Sequence, residues 1–518
     1  MEFISVFNDV LGPIMRGPSS SHTAGSYRIG RMARSMLGEK PLVVRLTFDP
    51  AGSYARTYRE QGADLGFAAG FLGWSMTDER FPQALESAAR AGISLEFEVS
   101  PIKSASHPNT VRIWMKGESG LELNLEAQSV GGGLVLITRV EDWKVSLAGK
   151  SFDLLVETTR RNEDAVEKIL DEGKKGKAQL VRQGQGDLSL ILGQSHSPWA
   201  DATLDELRRL PGVRRIWSLP PVFFVQRGEA LFSDVTDMLA VAESLDNSLG
   251  RAAIRYESTL LGLSEEEAIA EMLKRWEIMV AAVDQGLRGE SLSMKLLEPS
   301  AGQVFSAVSE GKVAVGGIHA LAAARAMAAL HVASSGGVVC AAPTGASSGV
   351  LPGVLVTLAE EKCLEREKVI YALFASSAIG LVIARRATFA AEMAGCQVEI
   401  GAAGAMAAAA VVDAAGGTAR QACDAAAVSL QNTLGSACDL VQGICEIPCH
   451  TRTAVAAASA FICADLILGG YRNPIPLDET VDAVFSAGRM LPIELRCTSR
   501  GGIAMAPSAL NLPRFKPV

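Results

Sequence analysis

Hydrophobic and polar positions divide the chain into three regions with different patterns. In residues 1–150, a polar loop is followed by apolar residues at helical spacing and then by an apolar strand at 42–48. This order predicts a compact α/β domain. The polar loop reads Gly17-Pro18-Ser19-Ser20-Ser21-His22-Thr23-Ala24-Gly25, and we expect its hydroxyl groups to cap the helix that follows. A capped helix end of this kind favours carboxylates.

The second region, residues 151–225, alternates strand and helix signals in the order β-α-β-β-α-β. The predicted elements cover residues 152–157, 163–170, 178–182, 188–192, 204–210 and 213–219. This order is typical of a ferredoxin-like domain. It also resembles the small ACT-type regulatory modules, which often bind amino acids.

The third region, residues 226–518, contains repeated alanine-rich amphipathic stretches separated by glycine turns. Ser264, followed three residues later by Glu267, predicts a capping box at the start of one helix. The region therefore predicts a mainly α-helical domain. The expected fold class is multidomain, with an α/β domain, a ferredoxin-like middle domain and this helical domain.

Composition and charge favour a role with small molecules. The chain is 48% hydrophobic but only 6% aromatic, and its net charge of −8 offers no basic field for nucleic acid or for an acidic membrane. The apolar stretches 402–412 and 454–468 are shorter than the roughly 20 residues that span a bilayer, so we expect buried helices and no membrane partner. The N-terminal residues show no secretory pattern, which predicts a cytoplasmic protein.

Nine cysteines raise the question of a metal site, and all of them lie in the third region. A reducing cytoplasm makes a disulfide framework an unsuitable explanation, and most free cysteines behave as small buried hydrophobic residues. No Cys-x-x-Cys pair is present, so the spacings of zinc fingers and ferredoxins are absent. Spacing alone leaves both packing and metal binding open.

Several short motifs, taken together, resemble one known family over nearly the whole chain. They are Gly17-Pro18-Ser19-Ser20-Ser21-His22-Thr23, His107-Pro108-Asn109-Thr110, Ala342-Pro343-Thr344, Gly395-Cys396-Gln397, Ile447-Pro448-Cys449 and Thr498-Ser499-Arg500-Gly501-Gly502. The chain resembles the iron-sulfur-dependent L-serine dehydratases, with both halves of the enzyme fused in one chain.

The resemblance implies a 4Fe-4S cluster held by three cysteines. Cys396, Cys438 and Cys449 fit the family pattern, with intervals of 42 and 11 residues. The pattern has no ligand at Cys340, Cys363, Cys423, Cys445 or Cys463. Three thiolates leave one iron open, which can bind the hydroxyl of L-serine as a Lewis acid. The implied products are pyruvate and ammonia, and we expect a homodimer.

His22 is the expected base, because an imidazole titrates near neutral pH. The alternative is a loop histidine that only stabilises the turn. The residues expected to bind the substrate are Ser19, Ser20, Ser21, Thr23, Asn109, Thr344, Ser347 and Arg500. His107 and His450 either support neighbouring groups or are purely structural.

The chain departs from the family pattern at four positions that bear on the substrate. Gln61 stands where a second histidine is expected, Ala333 replaces an asparagine, Asn432 a histidine and Cys497 a glutamate. A pocket with altered polar groups selects its substrate differently. A lyase for threonine or cysteine, or a sensor that binds an amino acid without converting it, therefore remains an alternative.

Overall fold

The computed structural model describes residues 3–173 and 178–515. The elements of its N-terminal part are β1 (Ile14–Arg16), α1 (Gly25–Leu37), β2 (Pro41–Phe48), α2 (Tyr54–Thr57), α3 (Ala63–Leu72), α4 (Ala84–Arg90), β3 (Ser94–Val99), β4 (Thr110–Gly117), β5 (Glu122–Gly131), β6 (Leu134–Val140) and β7 (Trp143–Leu147). Six strands form one sheet in the order β3-β2-β4-β5-β6-β7. Only β2 and β3 are parallel in this sheet.

Alternation of side chains explains why this sheet has a buried face. Along β4, Val111, Ile113 and Met115 are buried, whereas Arg112 and Lys116 are exposed. Helix α1 packs against α3, β5 and β6. The residues of its buried stripe recur at helical spacing: Ile29, Met32, Ala33 and Met36. The predicted α/β character of this part is present in the structure.

The polar loop caps a different turn from the one predicted. Helix α1 begins at Gly25, and Ala24 at its N-cap position provides no side-chain hydrogen bond. The preceding residues Ser20–Ala24 already form a π-helical turn, and Ser19 Oγ accepts a hydrogen bond from His22 N at 3.2 Å. The capping hydroxyl therefore stabilises the turn that carries His22, because this turn runs directly into α1.

The middle part has the six elements that the sequence pattern predicts, in the same order. They are β8 (Phe152–Thr159), α5 (Glu163–Gly173), β9 (Ala178–Gln185), β10 (Leu188–Ser195), α6 (Asp201–Arg209) and β11 (Val213–Leu219). The antiparallel sheet has the order β11-β8-β10-β9. Leu154 and Val156 on β8 belong to a small separate core, whereas Leu155 between them packs in the main core.

The C-terminal part is predominantly helical. Its elements are α7 (Val235–Glu243), α8 (Leu249–Leu261), α9 (Glu265–Arg288), α10 (Ala301–Ser309), α11 (Ile318–Ser334), β12 (Val338–Cys340), α12 (Val350–Glu361), α13 (Arg366–Arg386), α14 (Ala391–Ala394), α15 (Ile400–Ala414), α16 (Ala419–Thr433), β13 (Cys438–Asp439), α17 (Cys449–Leu468), α18 (Leu477–Met490), β14 (Arg496–Thr498) and α19 (Pro507–Leu510). The predicted capping box of Ser264 and Glu267 begins α9. The chain is thus multidomain, with mixed sheets and about half of its described residues in helices.

Helix α15 lies at the centre of this part and packs against α12, α13, α16 and α17. Every residue from 400 to 412 in it is buried. Alanine and glycine dominate this stretch, and their small side chains allow neighbouring helices to approach closely. The low aromatic content of the chain matches this type of packing.

Three helices are long and apolar enough to span a membrane by length and composition alone: Arg366–Arg386, Cys396–Ala414 and Cys449–Leu468. The expectation that the apolar stretches are too short was wrong, because the helices extend beyond the apolar runs read from the sequence. In the first two, 78% and 89% of the most apolar window is buried within the chain, and in the third 50% is buried.

The N-terminal segment joins the α/β part to the helical part. Strand β1 pairs antiparallel with β12, so that Ile14 lies opposite Cys340 and Arg16 opposite Val338. The backbone of Gly17, which follows β1, lies very close to the backbone of Ala333. A Cβ atom at position 17 would be only 2.0 Å from Ala333 O. This contact places the polar loop directly against α11, and any larger residue at position 17 would displace it.

Candidate active site

His22 lies completely buried within a shell of hydroxyl groups. Its Nδ1 atom is 3.0 Å from Ser21 Oγ and 3.4 Å from Ser19 Oγ. Its Nε2 atom is 2.9 Å from Thr57 Oγ1 and 3.3 Å from Ser53 Oγ. Four hydroxyls therefore hold the imidazole ring in one orientation.

A carboxylate from the helical part completes this arrangement. Glu392 on α14 is 4% exposed, and its Oε1 atom lies 3.7 Å from His22 Nδ1. The same oxygen accepts hydrogen bonds from Ser21 Oγ at 2.7 Å and from Asn109 Nδ2 at 3.0 Å. Asn109 Oδ1 is buried and has no hydrogen-bond partner within residues 3–173 and 178–515, so it can accept a hydrogen bond from a ligand.

The two ionisable groups share one charge at neutral pH. Burial lowers the pKa of His22 to about 4, and the carboxylate of Glu392 offsets only part of this effect. Burial alone raises the pKa of Glu392, but His22 and the hydrogen bonds from Ser21 and Asn109 hold it below its ordinary value. A neutral imidazole therefore faces an ionised carboxylate, and the imidazole is free to accept a proton.

Cysteine thiols converge beside this pair. Ligand atoms of Cys396, Cys438 and Glu399 all lie within 4.8 Å of one another. The side chain of Cys438 shares hydrogen bonds with those of both Cys396 and Cys497, and Cys445 shares one with Cys449. Glu399 interacts electrostatically with Cys396 and Cys449, which links the two groups of thiols.

Local structure explains why these thiols meet. Cys396 begins a short 3₁₀ turn that leads into α15, Cys438 lies in β13, and Cys449 is the first residue of α17. A helix N-terminus favours a thiolate. Arg452, one turn into α17, has its Nη1 atom 3.9 Å from Cys396 Sγ and 2.9 Å from Asp439 Oδ1.

The chemistry of these donors fits a metal cofactor. The hydrogen bond with Cys438 lowers the pKa of Cys396, whereas hydrogen bonding with Cys396 and Cys497 raises the pKa of Cys438 well above its ordinary value. Burial raises the pKa of Glu399 well above its ordinary value. Packing alone does not require two thiols and a carboxyl group to be buried together. A thiol-rich set of this kind suits iron-sulfur clusters or zinc.

The histidine and the thiols lie on opposite sides of a contact between the α/β part and the helical part. Ser53 Oγ, which contacts His22, donates a hydrogen bond to Cys497 O at 3.3 Å. The side chain of Thr344 bonds to Glu399, and the adjacent Gly345 lies so near the polar loop that a Cβ atom there would be 2.9 Å from Ser20 N. These contacts place the loop that carries His22 next to the cysteine-rich region.

Four other residues that the sequence predicts to bind the substrate make their contacts elsewhere: Thr23, Ser347, Ser20 and Arg500. Thr23 Oγ1 donates to Gln61 O at 2.8 Å, and Ser347 Oγ lies 3.0 Å from Thr344 Oγ1. Ser20 is buried within its turn. Arg500 is exposed, and it borders a small cavity of about 20 Å³ whose lining also includes Ser53 and Glu392. Their roles toward the substrate stay predictions.

Sequence reasoning missed four polar residues of this site: Ser53, Thr57, Glu392 and Glu399. Two weak signals were available, because Glu392 precedes Cys396 by four residues and Glu399 follows it by three. Ser53 and Thr57 carry no motif. Of the residues given supporting roles, His107 accepts a hydrogen bond at Nδ1 from Asn109 N at 3.1 Å.

Two more buried histidines lie behind the thiols. His450, next to Cys449, has its Nε2 atom 2.9 Å from Ser334 Oγ, and Ser334 donates to Cys445 O. His331 lies 4.9 Å from the His450 ring, measured between ring centroids. Burial lowers the pKa of His331 to about 4 and that of His450 to about 3. Both rings are therefore neutral at physiological pH.

The fold and the site define a multidomain enzyme in which a histidine-carboxylate pair lies beside buried thiols that could hold a metal. The model of the serine dehydratase alpha chain family matches residues 156–504, and the chain belongs to this family.

Individual relatives cover both halves of the chain. The probable L-serine dehydratase alpha chain of Bacillus subtilis is 35% identical over 284 residues, which is 55% of this chain and 95% of the relative. The probable beta chain of the same organism is 36% identical over 220 residues, which is 42% of this chain and 98% of the relative. The L-serine dehydratase of Streptomyces coelicolor is 26% identical over 534 residues and covers 97% of this chain and 98% of its own length.

Acidification should lower the free energy of unfolding, and the substitution His331→Gln should make this free energy less dependent on pH. Between pH 6.5 and 4 the unfolded chain binds a proton at this histidine that the folded chain does not bind. The free energy of unfolding therefore falls as the pH is lowered, by about 1.4 kcal/mol per pH unit for one such group. Thermal midpoints measured from pH 7.5 to 4 test this, with His319→Gln as the control at a half-buried histidine. Parallel curves for the wild type and His331→Gln would contradict it.

Proposed function

We propose that this chain is an iron-sulfur L-serine dehydratase that converts L-serine to pyruvate and ammonia. The observation that carries the proposal is the burial of a neutral imidazole and an ionised carboxylate beside a thiol-rich site. Relatives named L-serine dehydratase match the chain over each half and over its full length. The family supports serine as the substrate.

The proposed cofactor is a 4Fe-4S cluster held by Cys396, Cys438 and Cys449. The first two thiols already lie together, and Cys449 interacts with Glu399 and Arg452, which also interact with Cys396. When bound, such a cluster supplies a Lewis acid that makes the hydroxyl of the substrate a better leaving group. The carboxyl group of Glu399 lies beside Cys396 and Cys438, so it is available as a further oxygen ligand of the metal or as a proton carrier.

His22 is the proposed base for the α-proton of the substrate. It is neutral at physiological pH, and Glu392 can stabilise the imidazolium that forms when the ring accepts the proton. The hydrogen bonds of Ser19, Ser21, Ser53 and Thr57 keep the ring in place. Loss of the β-hydroxyl then leaves an enamine, which hydrolyses to the keto acid and ammonia.

Polar groups around His22 are suited to an amino-acid substrate. Asn109 Oδ1 is an unused buried acceptor, and it and Glu392 can bind the ammonium group. The hydroxyls of Ser19, Ser20 and Ser21, with Thr344, are the proposed donors to the carboxylate. Because these groups are buried, little water competes for them, which strengthens each charge interaction with a bound substrate.

The middle part is proposed to be an ACT-like regulatory or dimer-forming domain over residues 151–225, between domains at 1–150 and 226–518. Its antiparallel sheet order and its separate small core support this assignment. In the described part of the chain, the residues that contact His22, Glu392 or the converging thiols come from outside it. A cytoplasmic location and a homodimer complete the proposal.

Replacing His22 with alanine should separate chemistry from cofactor binding. The variant His22→Ala should retain its iron and brown colour but form keto acid about a hundredfold more slowly or worse, which is the usual effect of removing a general base. His319→Ala, at the half-buried ring against Phe461, is the matched control and should keep its activity. Unchanged turnover in His22→Ala would leave His22 as a loop residue.

Single serine substitutions at Cys396, Cys438 and Cys449 should abolish cluster assembly. After anaerobic purification, the wild type should contain about four irons and four sulfides per chain, and each variant less than about one. Cys463→Ser is the control, because this buried thiol lies on α17 beside Ser459. Full iron in any of the three variants would remove that cysteine from the ligand set.

Assays of the same anaerobic preparation identify the substrate. Keto-acid formation should be fastest with L-serine in a panel that includes L-threonine and L-cysteine. Faster turnover of another amino acid would correct the substrate. A cluster that binds amino acids without forming keto acid would make the chain a sensor.

A further inference from the structure

Two of the positions at which the chain departs from the family pattern touch each other. Gln61 Nε2 donates to Cys497 Sγ at 3.9 Å, across the contact between the α/β part and the helical part. The family pattern expects a histidine and a glutamate at these positions. The amide and the thiol that stand at these positions therefore lie in one place.

An irregularity of the backbone directs Cys497 toward the other thiols. Strands β13 and β14 are parallel, with Cys438 opposite Arg496 and Asp439 opposite Thr498, so Cys497 is an extra residue between two paired positions. Its φ of +56° is in the left-handed region, which residues with a Cβ atom rarely adopt. Bulges of this kind reorient a side chain next to functional sites. Here the thiol of Cys497 bonds with that of Cys438.

The surroundings of Cys497 are those of a ligand rather than of a packing residue. It is 6% exposed, and its side chain bonds with those of Cys438 and Gln61. Gln61 offers a neutral N-H donor, which can stabilise a thiolate. Packing alone would require neither this polar partner nor the bond with the thiol of Cys438.

We propose that Cys497 is the fourth thiolate ligand of the cluster in the resting enzyme, bound to the iron that Cys396, Cys438 and Cys449 leave open. This proposal rests on the proposed function. When L-serine arrives, the bond between iron and Cys497 Sγ breaks and a bond between iron and the substrate hydroxyl forms. No electron is transferred, and the released thiolate accepts the hydrogen bond of Gln61.

The test is the stability of the fourth iron, measured without reference to activity. Wild type, Cys497→Ser and Cys497→Glu are reconstituted anaerobically with iron and sulfide and then titrated with ferricyanide. An iron without a protein thiolate dissociates readily on oxidation and leaves a three-iron cluster with its own EPR signal. We expect this signal to be at least about tenfold larger in both variants than in the wild type, with about three irons per chain retained.

Cys445→Ser is the matched control, because Cys445 is equally buried and bonds to Cys449 but lies outside the family's ligand pattern. It should behave as the wild type. Equal EPR signals in the wild type and both Cys497 variants would overturn the proposal, as would a large signal confined to Cys445→Ser. Failure of the proposed function looks different, because the wild type would then bind no cluster or Cys396→Ser would keep a full one.

Discussion

The site depends on one physical constraint, which is that the loop carrying His22 must be held, buried, against a helical part formed from distant sequence. Backbone pairing of β1 with β12 and the close approach of Gly17 to Ala333 provide this constraint. Once the loop is in place, Ser21 and Asn109 reach Glu392, and Ser53 reaches the backbone of Cys497. Neither part holds the complete set of groups.

Burial then determines the protonation states on which the chemistry depends. A fully buried imidazole disfavours its own charge, so His22 stays neutral, whereas Glu392 stays ionised because it accepts hydrogen bonds. Hydrogen bonds with neighbouring thiols and burial raise the pKa values of Cys438 and Cys445, and burial raises that of Glu399, so these three groups stay protonated until they lose their protons on binding a cation. Burying polar groups without partners costs free energy. A cofactor and a charged substrate that pair with these groups remove that cost, which favours their binding.

Local patterns predicted a large share of the fold and part of the site. The stripe on α1, the capping box of α9 and the β-α-β-β-α-β order all follow from periodicity and capping chemistry, which act over a few residues. Motifs pointed to His22, Asn109 and Thr344. Glu392 and Glu399 were not predicted, because their importance arises only when elements far apart in sequence pack together. The contact between Gln61 and Cys497 was inaccessible for the same reason, since a bulge in β14 produces it.

The central claim is that the substrate hydroxyl and His22 meet at the cysteine site. Mössbauer spectra of the anaerobic enzyme, reconstituted with the iron-57 isotope, test this directly when recorded with and without L-serine. The account predicts that one iron subsite of the cluster changes its isomer shift and quadrupole splitting on addition of L-serine, in the wild type and in His22→Ala alike, while His22→Ala forms pyruvate about a hundredfold more slowly or worse. A spectrum that L-serine leaves unchanged under conditions of full turnover would contradict it.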